Sequence, residues 1–136
     1  MKKIFQIEPS LDEDEKKEIL EVMDSGWYTE AGKTREFEKM FAEFVGRKFA
    51  VATTSGTAAL CIAAQGLGLT NNDKVIVPDM TFVASPNSIV LAGAKVELVD
   101  IEKKNLCLDL DKTKAMVSKD TKAIMPVDFN GRAPDL

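Results

Sequence analysis

Two short stretches carry residue types that could do chemistry. The first is Thr53-Thr54-Ser55-Gly56-Thr57, which joins the apolar segment Phe49–Thr53 to an Ala- and Leu-rich stretch running from Gly56 to Leu69. If the first segment is a strand and the second a helix, Ser55, Gly56 and Thr57 sit at a helix N-terminus. Backbone N–H groups there lack intrahelical partners, and the helix dipole favours negative charge, so the turn can bind an anion. Gly56 lets the backbone approach the anion closely, and Thr57 offers a hydroxyl as well as an N–H. The same residues also serve as an ordinary Ser/Thr cap that needs no ligand, and both readings stay open on local sequence. The second stretch is Thr81-Phe82, just past the apolar run Lys74–Val77. A ring at the carboxyl end of a strand can stack on a planar ligand or bury itself, and for a single Phe burial is the commoner fate.

Other constellations are weaker. Gly32-Lys33-Thr34 invites a phosphate-loop reading, but five residues separate Gly26 from Gly32 where that motif needs four, and an acidic helix precedes it instead of a strand. Nucleotide hydrolysis is rejected on both counts. The acids Asp100, Glu102, Asp109 and Asp111 alternate with Leu98, Ile101, Leu106 and Leu108, the pattern of a solvated edge and a helix cap; nothing in it supports a metal site. The chain has no histidine. That excludes a Ser-His-Asp triad, a His-ligated zinc and an imidazole base within these residues. Cys61 and Cys107 form no CxxC pair and lie among aliphatic neighbours, so they read as buried reduced thiols.

The elements that must position these residues follow from periodicity. Acids at 12–15 ahead of Ile19, Leu20, Val22 and Met23 predict a helix over residues 12–25 that Gly26 stops. Residues 27–33 read as a loop. Thr34 reads as the cap of a second helix, whose Phe37, Met40, Phe41, Phe44 and Val45 form a core-facing stripe ending at Gly46. Strands are predicted at 49–53, 74–77, 95–99 and 121–127. Helices are predicted at 56–69, 82–92, with Pro86 in the first turn, and 111–117. Alternation of this kind predicts a mostly parallel sheet over residues 47–127 with helices on both faces, a three-layer αβα arrangement. Ligands bind such sheets at the carboxyl ends of the strands, so Thr53–Thr57 and Pro78–Phe82 are expected to open at one edge.

Composition narrows the classes. With 136 residues, 45% hydrophobic and 29% charged, the chain can bury a core without disulfides or metals. No apolar run is long enough to span a membrane, and the N-terminus lacks the apolar core of a signal peptide, so a cytoplasmic location is expected. A net charge of −4 with scattered lysines argues against nucleic-acid binding.

Taken together, the residues resemble the DegT/StrS group of sugar aminotransferases, pyridoxal-phosphate enzymes of fold type I. The matching pieces, in order, are Gly26-Trp27-Tyr28-Thr29 with Gly32; Glu36-Phe37-Glu38; Ser55-Gly56-Thr57-Ala58-Ala59-Leu60; Asp73–Pro78; Thr81-Phe82-Val83-Ala84 with Asn87; Gly93-Ala94; Val99-Asp100-Ile101; and Thr121–Ile124 leading to Val127 and Gly131. No piece is specific alone, but eight in this order and spacing are, and they span nearly the whole chain.

The resemblance implies a role for each weak site. Ser55, Gly56 and Thr57 would bind the cofactor phosphate, Phe82 would stack on the pyridine ring, and Thr29 would lie toward the substrate. It implies a helix and loop over residues 1–33 and a partial large, cofactor-binding domain over residues 34–136. Partners would be a nucleotide-linked keto sugar and an amino donor, glutamate by family habit, with a homo-oligomer as the assembly. Family members run to several hundred residues, and both the lysine that links to the cofactor and the acid facing the pyridinium nitrogen fall past residue 136. These residues by themselves are therefore expected not to transaminate. Asp128 stands where family members often have His, a departure that leaves that loop without an implied substrate contact. Two alternatives accompany this reading: the sister branch that dehydrates sugars at C3, and a non-catalytic, self-associating αβα module.

Overall fold

The computed structural model describes residues 3–5, 8–29 and 31–134. The chain divides into two compact units, Met1–Ala52 and Thr53–Leu136.

The first unit holds two helices, α1 (Glu13–Ser25) and α2 (Gly32–Phe44). Asp12 caps α1 through a capping box: its carboxylate accepts from the Asp14 N–H, and the Glu15 carboxylate reaches back to the Asp12 N–H at 2.7 Å. Gly26 closes the helix in the left-handed region at φ 68°, as its position predicts. Helix α2 begins earlier than expected. Its N-cap is Ala31, which offers no side-chain acceptor, and Thr34 lies inside the first turn. The stripe Phe37, Met40, Phe41, Phe44 and Val45 exists at helical spacing but does not face a core; Phe44 is 87% exposed. The buried residues of α2 are Glu38 and Ala42. The predicted strand at 49–53 does not form either: Phe49 and Val51 are exposed and no ladder includes these residues. Both corrections have one cause. Periodicity marks which residues want a partner surface, and among the described residues no segment supplies that surface.

The second unit contains α3 (Gly56–Gly66), β1 (Lys74–Pro78), α4 (Ala84–Leu91), β2 (Lys95–Val99), α5 (Leu110–Met116) and β3 (Thr121–Ile124), then a single 3-10 turn at Phe129–Gly131. The sheet is parallel throughout, in the order β2-β1-β3, with Val75 opposite Val96 on one side and Ala123 on the other. β3 stops short of the predicted residue 127. Central β1 is apolar on both faces, as a parallel strand covered by helices must be. Val75 and Val77 point to one face and pack with Ala64, Leu69, Ile89 and Ala94, which brings α3 and α4 onto it. Ile76 points to the other and packs with Val99, Leu108 and, from α5, Met116. Chain direction explains the two layers. The step from β1 to β2 runs one way along the sheet, and the step from β2 to β3 runs back past β1. Right-handed crossovers in opposite directions put α4 and α5 on opposite faces. Gly93 (φ 92°) turns the chain from α4 into β2, a backbone conformation that would strain an L side chain.

Between β2 and α5, a hairpin brings Ile101 opposite Leu108, with Leu106 at φ 62°. Cys107 is buried beside it and its Sγ meets the Arg132 carbonyl at 3.2 Å, tying this hairpin to the segment after β3. Cys61 is half-buried, and both cysteines are free thiols. Among the described residues, no helix is long and apolar enough to cross a membrane.

Candidate functional site

The turn before α3 is built by its own hydroxyls. Ser55, with extended backbone, is the N-cap; its Oγ accepts from the Ala58 N–H at 3.2 Å. Its carbonyl accepts the Ala59 N–H at 3.0 Å and the Thr53 hydroxyl at 2.9 Å. These bonds consume the cap. Among the described residues they leave the N–H groups of Gly56 and Thr57, and the Thr57 hydroxyl, without an acceptor or donor in the chain. A Cβ placed on Gly56 would meet nothing within 4 Å, so the backbone face there is open to an approaching group.

The loop before α4 is equally local. The Ser85 N–H donates to the Phe82 carbonyl at 3.0 Å, and the hydroxyls of Thr81 and Ser85 are 2.8 Å apart. With its backbone fixed in this way, Phe82 projects outward, 76% exposed. α3 and α4 share one face of the sheet, and both enter from its carboxyl edge. Gly56, Thr57, Phe82 and Ser85 therefore line one cleft of about 680 Å³, walled by Ala59, Leu60 and Ala63 of α3. The cleft offers two open backbone donors at a helix N-terminus, one hydroxyl and one exposed ring. That set fits an anionic group joined to a flat ring: the donors take the charge and the ring takes the plane.

Thr29 belongs to the first unit. It lines a cleft of about 670 Å³ there with Trp27, Tyr28, Gly32 and Lys33. Lys33 is held by two carboxylates of α1, Glu18 and Glu21, the latter at 2.8 Å. These partners raise the Lys33 ammonium above its ordinary range, and Lys33 in turn holds Glu21 below its own. The lysine of Gly32-Lys33-Thr34 is thus committed to an ion-pair network.

The acids of the 100–111 region have structural partners. Asp109 caps α5 through the Lys112 N–H at 3.0 Å. Asp100 pairs with the Lys112 ammonium and accepts the Ile101 N–H at 2.8 Å, which keeps its carboxyl below the ordinary range. Among the described residues, no cluster of three or more His, Cys, Asp or Glu is placed to hold a metal.

One residue, quoted from the sequence only within the piece Glu36-Phe37-Glu38, has a structural role that the sequence did not show. Glu38 is buried on α2, where its Oε1 accepts the Ala52 N–H at 2.8 Å and its Oε2 meets Arg35 at 2.5 Å. The Ala52 N–H first, and Arg35 second, hold its carboxyl below the ordinary range. The signals in the sequence are its place in the Glu36-Phe37-Glu38 piece and its spacing from Ala42, one turn away and also buried.

Known proteins share this sequence pattern and this fold. The model of the DegT/DnrJ/EryC1/StrS aminotransferase family matches residues 9–136. GDP-perosamine synthase of Caulobacter vibrioides is 42% identical over 129 residues, which cover 94% of this chain and 35% of that protein. Among solved structures, Spr1654 of Streptococcus pneumoniae, assigned as a sugar aminotransferase and determined in its PMP form, superposes with a TM-score of 0.87 at 34% identity. The match covers 93% of this chain and 32% of that one. The Escherichia coli GDP-4-keto-6-deoxy-D-mannose-3-dehydratase with bound hydrated PLP superposes with a TM-score of 0.82 at 30% identity, over 89% of this chain and 33% of that one. The chain spans about a third of the length of these relatives.

Proposed function

This chain belongs to the DegT/DnrJ/EryC1/StrS aminotransferase family, and from that premise we propose that it supplies the N-terminal part of the cofactor-binding domain of a pyridoxal-phosphate aminotransferase. The substrate would be a nucleotide-linked keto sugar, in polysaccharide or deoxysugar biosynthesis, with glutamate as amino donor. The observation that carries the reading is the shared cleft of Gly56, Thr57 and Phe82. Open N–H donors and an exposed ring are the two groups that a phosphate on an aromatic ring requires, so the residues fit the cofactor. Gly56 and Thr57 would hold its phosphate through their N–H groups and the Thr57 hydroxyl. Ser55 would keep the helix start in place through its Oγ, which accepts the Ala58 N–H, and its O–H would remain available to donate to the phosphate. Phe82 would orient the ring and exclude water from one of its faces. When bound, the cofactor acts as an electron sink for cleavage of bonds at the donor's α-carbon.

Residues 34–136 would be the partial cofactor domain, residues 1–33 the helix and loop before it, and Thr29 a contact on the substrate side. The cytoplasm is the compartment this chemistry suits. The exposed apolar residues, Phe44, Phe49 and Val51 among them, support self-association. Within these 136 residues none of the lysines stands in the sequence context of the family's cofactor-linking lysine, so phosphate-level binding without transamination is the expected behaviour. Ultraviolet-visible titration of the chain with pyridoxal phosphate tests this. Weak binding without a covalent imine band is the expected result, and absence of binding would favour a module that only associates. Likeness to the E. coli dehydratase keeps the C3-dehydratase branch as a second reading. Assay of an intact enzyme carrying this sequence for amine transfer against C3 deoxygenation separates the two.

A further inference from the structure

Phe82 is 76% exposed, so little packing holds its ring, and the backbone beneath must aim it. That backbone runs between two fixed points of the second unit. At one end the Asp79 N–H donates to the Val99 carbonyl at 2.8 Å, which ties the chain to the sheet; at the other α4 begins at Ala84. The start of α4 has few anchors of its own. Its N-cap, Val83, offers no side-chain acceptor, and Pro86 in the first turn brings no N–H. Between the two points a side-chain staple crosses over Phe82: the hydroxyls of Thr81 and Ser85 are 2.8 Å apart. The Ser85 end of the staple is buried in the helix. Its N–H donates to the Phe82 carbonyl at 3.0 Å, and its carbonyl accepts the hydroxyl of fully buried Ser88 at 2.8 Å. The described lining of the cleft that holds Gly56, Thr57 and Phe82 includes Ser85 but not Thr81.

We infer that Thr81 is a positioning residue for the ring half of the cleft. Its hydroxyl, held to Ser85, closes the arc over residues 81–85 and fixes the direction in which the Phe82 side chain leaves the backbone. This rests on the reading of Phe82 as the ring that stacks on the cofactor. The anion half of the cleft is built by other bonds, from the Thr53 hydroxyl to the Ser55 carbonyl and from the Ala58 N–H to Ser55 Oγ. Thr81 therefore acts on the ring and leaves the phosphate donors alone. Without the staple, the Ser85 N–H is what remains to tie Phe82 to α4. Stacking depends on the plane and offset of the two rings, so an exposed ring on a looser base stacks less well. Serine at this position keeps the hydroxyl, whereas valine keeps the shape of threonine without it.

The test titrates the parent chain, Thr81→Val and Thr81→Ser with two probes, inorganic phosphate and pyridoxamine phosphate, which carries the ring but forms no imine with lysines. In Thr81→Val the Kd for pyridoxamine phosphate should rise about fivefold, the scale of one hydrogen bond, while that for inorganic phosphate stays within about twofold. Thr81→Ser should bring the first value back to within about twofold of the parent. If Thr81 acts through Ser85, adding Thr81→Val to Ser85→Ala should change the Kd by no more than about twofold, since contacting residues are not additive. Unchanged affinity for pyridoxamine phosphate in Thr81→Val, an equal loss for both probes, or a Thr81→Ser variant as weak as Thr81→Val overturns the inference. If Thr81→Val does not fold, Thr81→Ala against Thr81→Ser makes the same comparison. If the parent chain binds pyridoxamine phosphate no tighter than inorganic phosphate, or binds neither, the reading of the cleft fails instead. The ligand-free spectra then decide the role of Thr81: Phe82 ring and amide signals that move in Thr81→Val and return in Thr81→Ser support it, and signals that stay in place overturn it.

Discussion

Substituting Ser55 and Thr57 by alanine, one at a time, should separate cap from ligand site within three residues. Ser55 Oγ accepts the Ala58 N–H at 3.2 Å, long for such a bond. Its removal should therefore cost about 0.5–1 kcal/mol, the lower part of the range for a lost N-cap. For a unit of this size that lowers Tm by roughly 2–8 °C. The phosphate Kd should change less than in Thr57→Ala, because the principal donors to the anion are the N–H groups of Gly56 and Thr57. Thr57→Ala should do the opposite. Its hydroxyl has no partner among the described residues, and alanine is the better helix former, so Tm should hold or rise slightly. Loss of the hydroxyl's bond to a charged oxygen should weaken phosphate binding by about 1–2 kcal/mol, roughly five- to thirtyfold in Kd. Thermal melting and titration of both variants give four numbers. A Thr57→Ala variant that melts lower yet binds phosphate with parental affinity would falsify the assignment, since it would make Thr57 a cap and leave the anion site elsewhere.

Other outcomes follow from the packing and the charges. Ile76, fully buried on β1, should lose about 2–5 kcal/mol of stability on truncation to alanine, read from the midpoint of a urea transition at constant slope. Acid should destabilise the fold by a predictable route. Glu38 is held down by the Ala52 N–H and Arg35, Glu21 by Lys33, Asp73 by Thr70 and Asp100 by Lys112, all below their ordinary values. Their contribution is complete above those ordinary values, near pH 4, and is lost as pH falls further, which melting curves between pH 6 and pH 2 check. Lys33, Lys74 and Lys112 are raised by their carboxylate partners, so their contribution is complete at neutral pH and fades only as pH rises past their ordinary 10.5. Light scattering should give a mass above the 14.9 kDa of one chain at micromolar concentration, because the exposed apolar residues invite burial; a monomeric mass would contradict the proposed self-association.

Much of the second unit was legible in the residues themselves. Lys74–Pro78 and Lys95–Val99 announce parallel strands by short apolar runs rich in valine, and Gly93 and Pro86 mark where α4 ends and begins. Ser55-Gly56-Thr57 announces a helix start because cap chemistry is local: the acceptor and the donors it serves lie within three residues. The joint cleft of Gly56 and Phe82 was legible only through topology, since it depends on α3 and α4 entering from one edge of the sheet. Three features were decided by tertiary structure alone. Residues 49–53 have the composition of a strand and form none, because a strand is completed by a neighbour's hydrogen bonds and not by its own side chains. The stripe from Phe37 to Val45 has the period of a buried face and stays exposed, because periodicity states which side of a helix is apolar and not whether anything covers it. Glu38 is legible in the sequence only as part of the piece Glu36-Phe37-Glu38, and only the fold brings the Ala52 N–H, fourteen residues along, within 2.8 Å of its carboxylate. Local chemistry is written in adjacent residues, whereas partnership across distance exists only once the chain has folded.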